Sequence, residues 1–283
     1  MMKIIGMAAI LACTMLQAAA CRADEAGKDE MGNGKELIVV AHRGGADLGP
    51  ENSLGCIRKG IAAGAGWVEI DVHLSADGEI VVCHDPSVDR TTDGKGQISG
   101  MTYPELRKLR LLDGEGRPTD EHLPTLDEVL DLTKGRAVLL IEIKHSKHSL
   151  PGIEKACVDC IRRHGAEKDA VIQSFEDDVL DRVHELAPEI RLEKLLIFAS
   201  TGLGFEFDGG FSGFDFEKYG HVSSFNVFYL AATRSFVEKA HASGKEVKVW
   251  TLDKYDGELV EMVDGVITNN PGIFIKTPRT WNI

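Results

Sequence analysis

The sequence predicts a (β/α)8 TIM barrel, an α/β fold with a single domain. From residue 37 onward, eight short apolar segments alternate with segments of helical period. The apolar segments are rich in Val, Ile and Leu and almost uninterrupted, which is typical of parallel strands that are buried on both faces. A chain of 283 residues is long enough for one such barrel. An open doubly wound sheet is the alternative, but its glycine-rich phosphate turn is missing after the first apolar segment.

The predicted elements follow one another in regular order. Thr125 marks the start of one helix, and Gly244 marks the end of another. The barrel strands are predicted at residues 37–42, 67–73, 137–144, 170–174, 191–198, 222–227, 246–251 and 265–269, and helices at 52–63, 125–132, 153–164, 177–186 and 233–243.

Two segments interrupt this order. After the second barrel strand, a turn at Asp77 and Gly78 leads into a further strand at 79–84, so we expect a short insertion there. Residues 85–123 follow without a clear pattern, and residues 202–220 are rich in Gly, Phe and Asp. Long loops in a compact domain are often lids or substrate walls. We therefore expect both segments at the catalytic end of the barrel.

The first 36 residues are predicted to precede the barrel domain at 37–283. Lys3, the apolar run 4–16 and three alanines at 18–20 have the composition of a signal peptide at residues 1–20. The apolar run is too short to span a membrane, and a buried N-terminal helix is the alternative. Cys21 follows as in a bacterial lipoprotein cleavage site. Residues 21–36 predict a flexible tether.

This N-terminus predicts an exported protein, either periplasmic or a membrane-anchored lipoprotein of a bacterium. Lipidation at Cys21 and plain secretion are both open, so a membrane partner is expected only through a lipid anchor. The formal net charge of −13 argues against a general nucleic-acid binder, which would show a basic face. Cys157 and Cys160 lie on one predicted helix, and we expect them to pack as small apolar residues. A disulfide between them is the alternative in an oxidising compartment.

Three carboxylates interrupt the apolar strands close to their carboxyl ends. They are Glu69, Asp71 and Glu142. Burying a carboxylate is costly unless something pairs with it, so the three together imply a cation. Glu69 and Asp71 are two residues apart on a strand and therefore share a face. An all-oxygen set suits Ca²⁺ or Mg²⁺ rather than zinc, and the choice between these two ions stays open.

Two histidines and two cationic side chains stand at the same strand ends. His42 and Arg43 close the first strand, and His84 closes the additional strand. Two imidazoles at one barrel mouth can divide the transfer of protons to and from a reacting group. Arg43 offers a planar fork that suits phosphate, and Lys144 is positioned to hold an anion beside the metal. A surface ion pair between Glu142 and Lys144 is the alternative for those two residues.

The order of these motifs resembles that of bacterial glycerophosphodiester phosphodiesterases. The resemblance runs from about residue 37 to residue 274. Any one motif is weak, but seven or more in the same order are specific. The motifs are His42-Arg43-Gly44, Pro50-Glu51-Asn52-Ser53, Glu69-Ile70-Asp71, His84-Asp85-Pro86, Asp89-Arg90-Thr91-Thr92, Leu123-Pro124-Thr125-Leu126 and Glu142-Ile143-Lys144, followed by Gln173-Ser174-Phe175, Val249-Trp250-Thr251 and Thr268-Asn269-Asn270-Pro271.

The resemblance implies a barrel that hydrolyses glycerophosphodiesters to an alcohol and glycerol 3-phosphate with one divalent cation. Attack by a glycerol hydroxyl through a cyclic phosphate and direct attack by water are both open. Asn269 stands where the family usually has an aspartate, and we expect this difference to change only a peripheral contact. By position, Glu69, Asp71 and Glu142 would bind the metal, His42 and His84 would be the acid–base pair, Arg43 and Lys144 would hold the phosphate, Glu51 and Asn52 would line the site, and Trp250 would lie against the glycerol.

Two other functions compete with this interpretation. A phospholipase-type phosphodiesterase, acting on lipid head groups or lysophospholipids, would share the histidines and acids but would need an apolar mouth. A non-catalytic, phosphodiester-binding lipoprotein would be expected to lack one of the histidines or acids. Five phenylalanines are candidates for an apolar mouth: Phe205, Phe207, Phe211, Phe214 and Phe216.

Overall fold

The structure is a computed structural model that describes residues 36–146, 148–197 and 214–275. The predicted signal peptide, Cys21, the tether up to residue 35 and the phenylalanines at 205, 207 and 211 lie outside these residues. In the described part of the chain, no helix combines the length and apolar character that a membrane span requires.

Eight parallel strands close into a barrel, as predicted. Each pairs with the next, and β1 pairs with both β2 and β11, which closes the ring. In chain order the strands are β1 (Ile38–Ala41), β2 (Trp67–Leu74), β3 (Ile80–Val82), β4 (Arg110–Leu112), β5 (Pro118–His122), β6 (Val138–Ile143), β7 (Ala170–Ser174), β8 (Arg191–Leu196), β9 (Ser224–Phe228), β10 (Glu246–Trp250) and β11 (Gly265–Thr268); the barrel consists of all except β3, β4 and β5.

Helices cover the outside of the barrel. Thr125 caps one of them: its side chain accepts the Glu128 N–H at 3.2 Å, and the Glu128 carboxylate accepts the Thr125 N–H at 3.0 Å. Gly244, at φ 75°, follows the end of another. The helices are α1 (Leu54–Ala62), α2 (Tyr103–Leu106), α3 (Leu126–Thr133), α4 (Ile153–His164), α5 (Asp177–Leu186), α6 (Arg234–Ala242) and α7 (Gly257–Met262).

The insertion after β2 is larger and more ordered than expected. β3 runs antiparallel to β2, and the following segment, predicted to lack a pattern, contains α2 and the hairpin of β4 and β5. Short elements of this kind have too few residues for a periodic signal, which is why the sequence did not reveal them. The insertion has a small apolar core of its own, made of Val81, Cys83, Val88, Ile98, Leu106, Leu111 and Leu123.

Alternation along each strand decides which side chains enter the barrel. The outward side chains pack with the helices in the main apolar core. Cys157 and Cys160 belong to that core as buried free thiols, so the packing interpretation is confirmed. The inward side chains form a separate apolar layer of Val40, Leu140, Val171 and Ile267. Two residues after each of these positions, the chain has a polar side chain: His42, Glu142, Gln173 and Asn269.

One side of the barrel interior carries a buried ion pair that the sequence analysis did not anticipate. Lys248 Nζ lies 2.7 Å from Glu193 Oε1, and both side chains are fully buried. Arg191 also pairs with Glu193, at 2.9 Å. Asn226 Nδ2 then donates to Glu193 Oε2 and to Gln173 Oε1, each at 2.8 Å. Because every member has a partner, the network avoids the cost of isolated buried charges.

This ion pair predicts a stability effect. We expect Glu193→Gln to lower the free energy of unfolding by about 3–5 kcal/mol, because it leaves Lys248 charged in the interior. Adding Lys248→Met to that variant should recover part of the loss. Urea denaturation measures both. Glu185→Gln, in the exposed pair with Arg182, is the control and should change stability by less than about 1 kcal/mol. Equal effects of the buried and the exposed change would contradict the prediction.

Candidate active site

Three carboxylates meet at the carboxyl ends of β2 and β6. Glu69 and Asp71 lie on β2, and Glu142 lies on β6 in register with Asp71. One oxygen of each side chain lies within 4.8 Å of an oxygen of both others, and all three residues are buried. The three acids that the sequence singled out therefore form one cluster.

Burial and mutual repulsion decide how this cluster titrates. Burial, and then the charges of Asp71 and Glu142, raise the pKa of Glu69 well above its ordinary value. Burial also raises the pKa of Glu142 to about 7. For Asp71, burial acts in the same direction, but Lys144 and other cationic neighbours outweigh it and hold the pKa far below its usual range. A cluster that resists full ionisation favours a bound cation.

The oxygen atoms of the cluster fit a hard divalent ion. Lys144 Nζ lies 2.5 Å from Glu142 Oε1 and 3.0 Å from Asp71 Oδ1. The second contact is an ion pair without hydrogen-bond geometry, so Asp71 Oδ1 is buried without a hydrogen-bond donor. Lys144 balances the charge of this oxygen, and the oxygen keeps lone pairs that a metal ion can use. A set of carboxylate oxygens alone is the environment that Ca²⁺ and Mg²⁺ prefer.

The turn after β1 supplies two donors to the carboxylates. Arg43 has φ 50°, a left-handed conformation that is uncommon outside glycine, and its N–H donates to Glu69 Oε2 at 2.8 Å. Asn52, at φ 61°, donates from Nδ2 to Asp71 Oδ2 at 2.9 Å. Left-handed backbone outside glycine is thus found, among the described residues, at two positions that touch the cluster.

Glycine is required where this turn packs against α1. Gly44 has φ 84°, and a Cβ there would lie 2.9 Å from the backbone nitrogen of Ile57. On the other side of the contact, a Cβ at Gly60 would lie 2.3 Å from the Gly44 carbonyl oxygen. Close packing therefore requires the glycine of the His-Arg-Gly motif, whereas His42 and Arg43 supply the polar groups of the site.

The antiparallel return of β3 brings His84 to the cluster. The Cys83 N–H donates to the carbonyl oxygen of Asp71 at 2.9 Å, which places the next residue beside the carboxylates. His84 Nδ1 is 2.6 Å from Asp85 Oδ1. A carboxylate can only accept, so Nδ1 carries the proton. Burial lowers the pKa of His84, against the opposing charge of Asp71.

Arginines connect the loop after β1 to the insertion. Glu51 accepts from Arg43 NH1 at 3.0 Å and from both terminal nitrogens of Arg90 at 2.8 and 2.9 Å. Arg90 also contacts Asp85 Oδ2 at 2.7 Å, and Asp85 is the partner of His84. Arg90 thus holds the acid that orients His84. Sequence analysis gave Arg90 and Asp85 no role, although both lie in motifs that the resemblance used.

His42 is oriented by Asn269, which corrects the expectation of a peripheral contact. His42 Nδ1 is 2.7 Å from Asn269 Oδ1. The amide is fixed because Asn269 Nδ2 donates to Asp253 Oδ2 at 2.8 Å, and a carboxylate cannot donate in return. The amide oxygen must therefore face His42, so Nδ1 carries the proton and Nε2 is left as an acceptor. Burial, and then Arg43, lower the pKa of His42 to about 4.

Aromatic side chains form a wall at the carboxyl ends of β7, β9 and β10. Trp250 donates from its indole nitrogen to the Asn226 carbonyl oxygen at 2.9 Å. Phe175 meets its ring edge to face, with centroids 5.6 Å apart, and Phe228 lies 5.5 Å away. Trp250 is half-buried. An apolar face of this kind can receive the carbon atoms of a small polar ligand.

The expected apolar mouth differs from the sequence prediction. Phe214 and Phe216 pack against Phe225 in the main core, with centroids 5.3 and 5.6 Å from it, rather than lining a mouth. Instead, exposed apolar side chains stand in the loops that follow the last three barrel strands. They are Leu230, Tyr255 and Ile273.

The structure brings nine of the ten residues that the sequence analysis named for the site into one set of contacts, and it places the tenth, Trp250, at the carboxyl end of β10 among aromatic side chains. It adds four residues to which the sequence gave no role, and it gives Asn269 a different role from the one expected. A single polar residue in or after a strand gives no signal of its own, so the contacts identify these four. They are Asp85, Arg90, Gln173 and Asp253, with Gln173 Nε2 at 3.4 Å from Glu69 Oε1.

Comparison with known proteins gives a consistent result. A sequence model of the Glycerophosphoryl diester phosphodiesterase family matches residues 42–273. A glycerophosphodiester phosphodiesterase of Caldanaerobacter subterraneus subsp. tengcongensis is 32% identical over 251 residues, which cover 86% of this chain and 98% of that protein. The chain therefore belongs to the Glycerophosphoryl diester phosphodiesterase family and is an enzyme of the phosphoric diester hydrolase class.

Solved structures agree with this assignment. An Oleispira antarctica phosphodiesterase in complex with the product sn-glycerol-3-phosphate has a TM-score of 0.69 and 25% identity, covering 84% of this chain and 94% of that one. A glycerophosphodiester phosphodiesterase from Thermotoga maritima has a TM-score of 0.63 and 26% identity, covering 86% and 99% of the two chains.

Proposed function

We propose that the protein hydrolyses glycerophosphodiesters to an alcohol and glycerol 3-phosphate, with one divalent cation and with His42 and His84 as the acid–base pair. The observation that carries this proposal is the buried carboxylate cluster between two oriented imidazoles on the catalytic face of the barrel. Membership of the family and the product found in the Oleispira antarctica relative support it.

Glu69, Asp71 and Glu142 would hold the ion, either Ca²⁺ or Mg²⁺. When bound, the ion neutralises charge on the phosphodiester and on the transition state. Arg43 adds to this, since its Nε is buried without a hydrogen-bond acceptor and can donate to a phosphate oxygen. Lys144 supplies a second positive charge on the same face.

The two histidines differ in their partners, and this suggests how they divide the proton transfer. His42 donates to a neutral amide and keeps Nε2 free, so it is suited to take a proton from the nucleophile. His84 donates to the Asp85 carboxylate, which stabilises the protonated imidazolium, so it is suited to give a proton to the leaving oxygen. The nucleophile is either water or a hydroxyl of the glycerol group. In both cases His42 would act as the base and His84 as the acid.

The remaining site residues position and recognise the substrate. Glu51 fixes Arg43, and Asn52 fixes Asp71, each through a direct hydrogen bond. Trp250 offers its ring to the carbon atoms of the glycerol group, in the wall that it forms with Phe175. A rigid set of this kind holds the reacting atoms in place before reaction.

A phospholipase-type activity is the second candidate, because exposed Leu230, Tyr255 and Ile273 lie on the catalytic face. Apolar side chains there can contact an acyl chain or a lipid surface. The non-catalytic alternative is disfavoured, since it was expected to lack one of the histidines or acids and all of them meet at this site.

The first prediction concerns the substrate and the ion. The protein should release glycerol 3-phosphate from glycerophosphodiesters, lose this activity in EDTA and recover it with Ca²⁺ or Mg²⁺. A panel that includes a lysophospholipid separates the two candidates. Alanine at Glu69, Asp71 or Glu142 should lower kcat by more than about 100-fold, since even outer partners of metal ligands often cost about 10–100-fold. Asp178→Ala, at an exposed position, is the control. Full activity after exhaustive chelation would refute the role of the metal.

The second prediction separates the histidines. His42→Ala and His84→Ala should each lower kcat by roughly 10²–10⁴-fold. A diester with an activated leaving group should restore much of the loss in His84→Ala and little in His42→Ala, because a good leaving group does not need a proton. His148→Ala, at an exposed position, should leave the rate unchanged. Restoration in the His42 variant instead would reverse the two roles.

The third prediction concerns the amide that orients His42. Asn269→Ala should lower kcat by roughly 10–100-fold with a smaller change in KM, as expected when a reacting group is misplaced. Exchanging the pair, with Asp253→Asn and Asn269→Asp in one chain, keeps an oxygen facing His42 Nδ1 and reverses the direction of the hydrogen bond between the two residues, so it should recover much of the loss. Asn270→Ala is the control. If the exchanged variant is as slow as Asn269→Ala, the hydrogen bond to His42 does not determine kcat.

The fourth prediction concerns the cell. We propose that residues 1–20 direct export and that the enzyme acts in the bacterial envelope, where it meets diesters from lipid turnover. Fractionation of cells that carry the wild type or Cys21→Ser distinguishes the cases. Wild type in membranes and a soluble variant indicate a lipoprotein, whereas both soluble outside the cytoplasm indicate secretion. An uncleaved chain in the cytosol would contradict export.

A further inference from the structure

A second group of metal-ligating side chains lies between α3 and α4, on the outside of the barrel. It shares no residue with the catalytic cluster. One ligand atom each of Asp127, Cys160 and His164 lies within 4.8 Å of the other two. We propose that these three residues bind a thiophilic divalent ion such as Zn²⁺.

Helix geometry explains why these side chains converge. Cys160 and His164 are four residues apart on α4, and Asp127 and Asp131 are four apart on α3, so each pair occupies one face of its helix. His164 Nε2 is 2.8 Å from Asp127 Oδ1, and its Nδ1 is 3.2 Å from Asp131 Oδ1. The two helices therefore present their ligand pairs to each other.

The chemistry of the set differs from that of the catalytic cluster. Sulfur, imidazole nitrogen and carboxylate oxygen together suit zinc, whereas carboxylates alone suit Ca²⁺ or Mg²⁺. Asp131 Oδ1 lies 3.2 Å from the second ring nitrogen, and a carboxylate is a common neighbour of that nitrogen in metal-bound histidines. Asp127 is partly exposed, so water can supply a fourth ligand.

Binding of the ion would change the protonation of Cys160 and His164. Cys160 is fully buried, so without an ion its sulfur is a thiol. His164 Nε2 donates to Asp127 Oδ1 at 2.8 Å. Binding of the ion to Nε2 would release the Cys160 S–H proton to solvent and leave the remaining ring proton of His164 on Nδ1, beside Asp131.

Arg163 is the main competitor for the site. One of its terminal nitrogens contacts both oxygens of Asp127, at 2.9 and 3.0 Å. Its side chain is 58% exposed, so it can turn into solvent at little cost. Asp127 and Asp131 both face His164, and a divalent ion would take the place of the Arg163 guanidinium beside Asp127.

Cadmium binding can be measured at this site without a contribution from the carboxylate cluster. Cd²⁺ bound to a thiolate absorbs in the ultraviolet by charge transfer, and carboxylates give no such band. We would titrate the full chain with Cd²⁺ in a Cys21→Ser background with a thiol-free reductant. The band should saturate, disappear in Cys160→Ser and remain in Cys157→Ser, which removes a buried thiol on the same helix that is not in the cluster.

A second variant keeps the test valid if Cys160→Ser does not fold. His164→Gln retains the thiol and should weaken Cd²⁺ binding by about tenfold or more, with circular dichroism confirming the fold. No band in the folded wild type, or a band that persists in Cys160→Ser, would overturn the proposal. Either result would leave the proposed diesterase activity untouched, because that activity is measured at a different site.

Discussion

The constraint on which this structure depends is the burial of three carboxylates within 4.8 Å of one another. Like charges at this distance in a poorly polarisable interior repel strongly, so the fold must supply compensation. It does so from three directions: a backbone N–H at Arg43, a side-chain amide at Asn52 and an ammonium group at Lys144. The left-handed backbone at Arg43 and Asn52 is understandable in these terms, because each aims a donor at the cluster.

The polar interior extends this compensation deep into the barrel. Glu69 contacts Gln173, Gln173 accepts from Asn226, Asn226 donates to Glu193, and Glu193 pairs with Lys248. Each of these groups is satisfied by the next, so none can change without leaving its neighbour unpaired. A barrel interior is commonly apolar and tolerant of similar side chains. Here the polar chain makes the position of a carboxylate of the candidate active site depend on residues on four other strands.

The sequence predicted the barrel strands because apolar segments recur at regular intervals, and it predicted the carboxylate cluster because acids interrupt those segments. An acid inside an apolar strand is conspicuous, and alternation places it in the interior. It could not predict that Asn269 would face His42, since that contact joins residues 227 positions apart. Nor did it reveal the hairpin of β4 and β5, whose few residues lack periodicity. The buried pair of Glu193 and Lys248 was missed because each residue alone resembles an ordinary charge on a half-exposed strand.

The partners of His42 come from the far end of the chain, and this has a consequence for biosynthesis. His42 stands at the end of the first strand, whereas Asn269 and Asp253 follow the last two. These residues meet only when β1 and β11 pair and the ring closes. A nascent chain that lacks its final segment therefore carries both histidines and all three acids but has no oriented imidazole at His42. The order of synthesis thus delays the orientation of His42 until β11 has been made and has paired with β1.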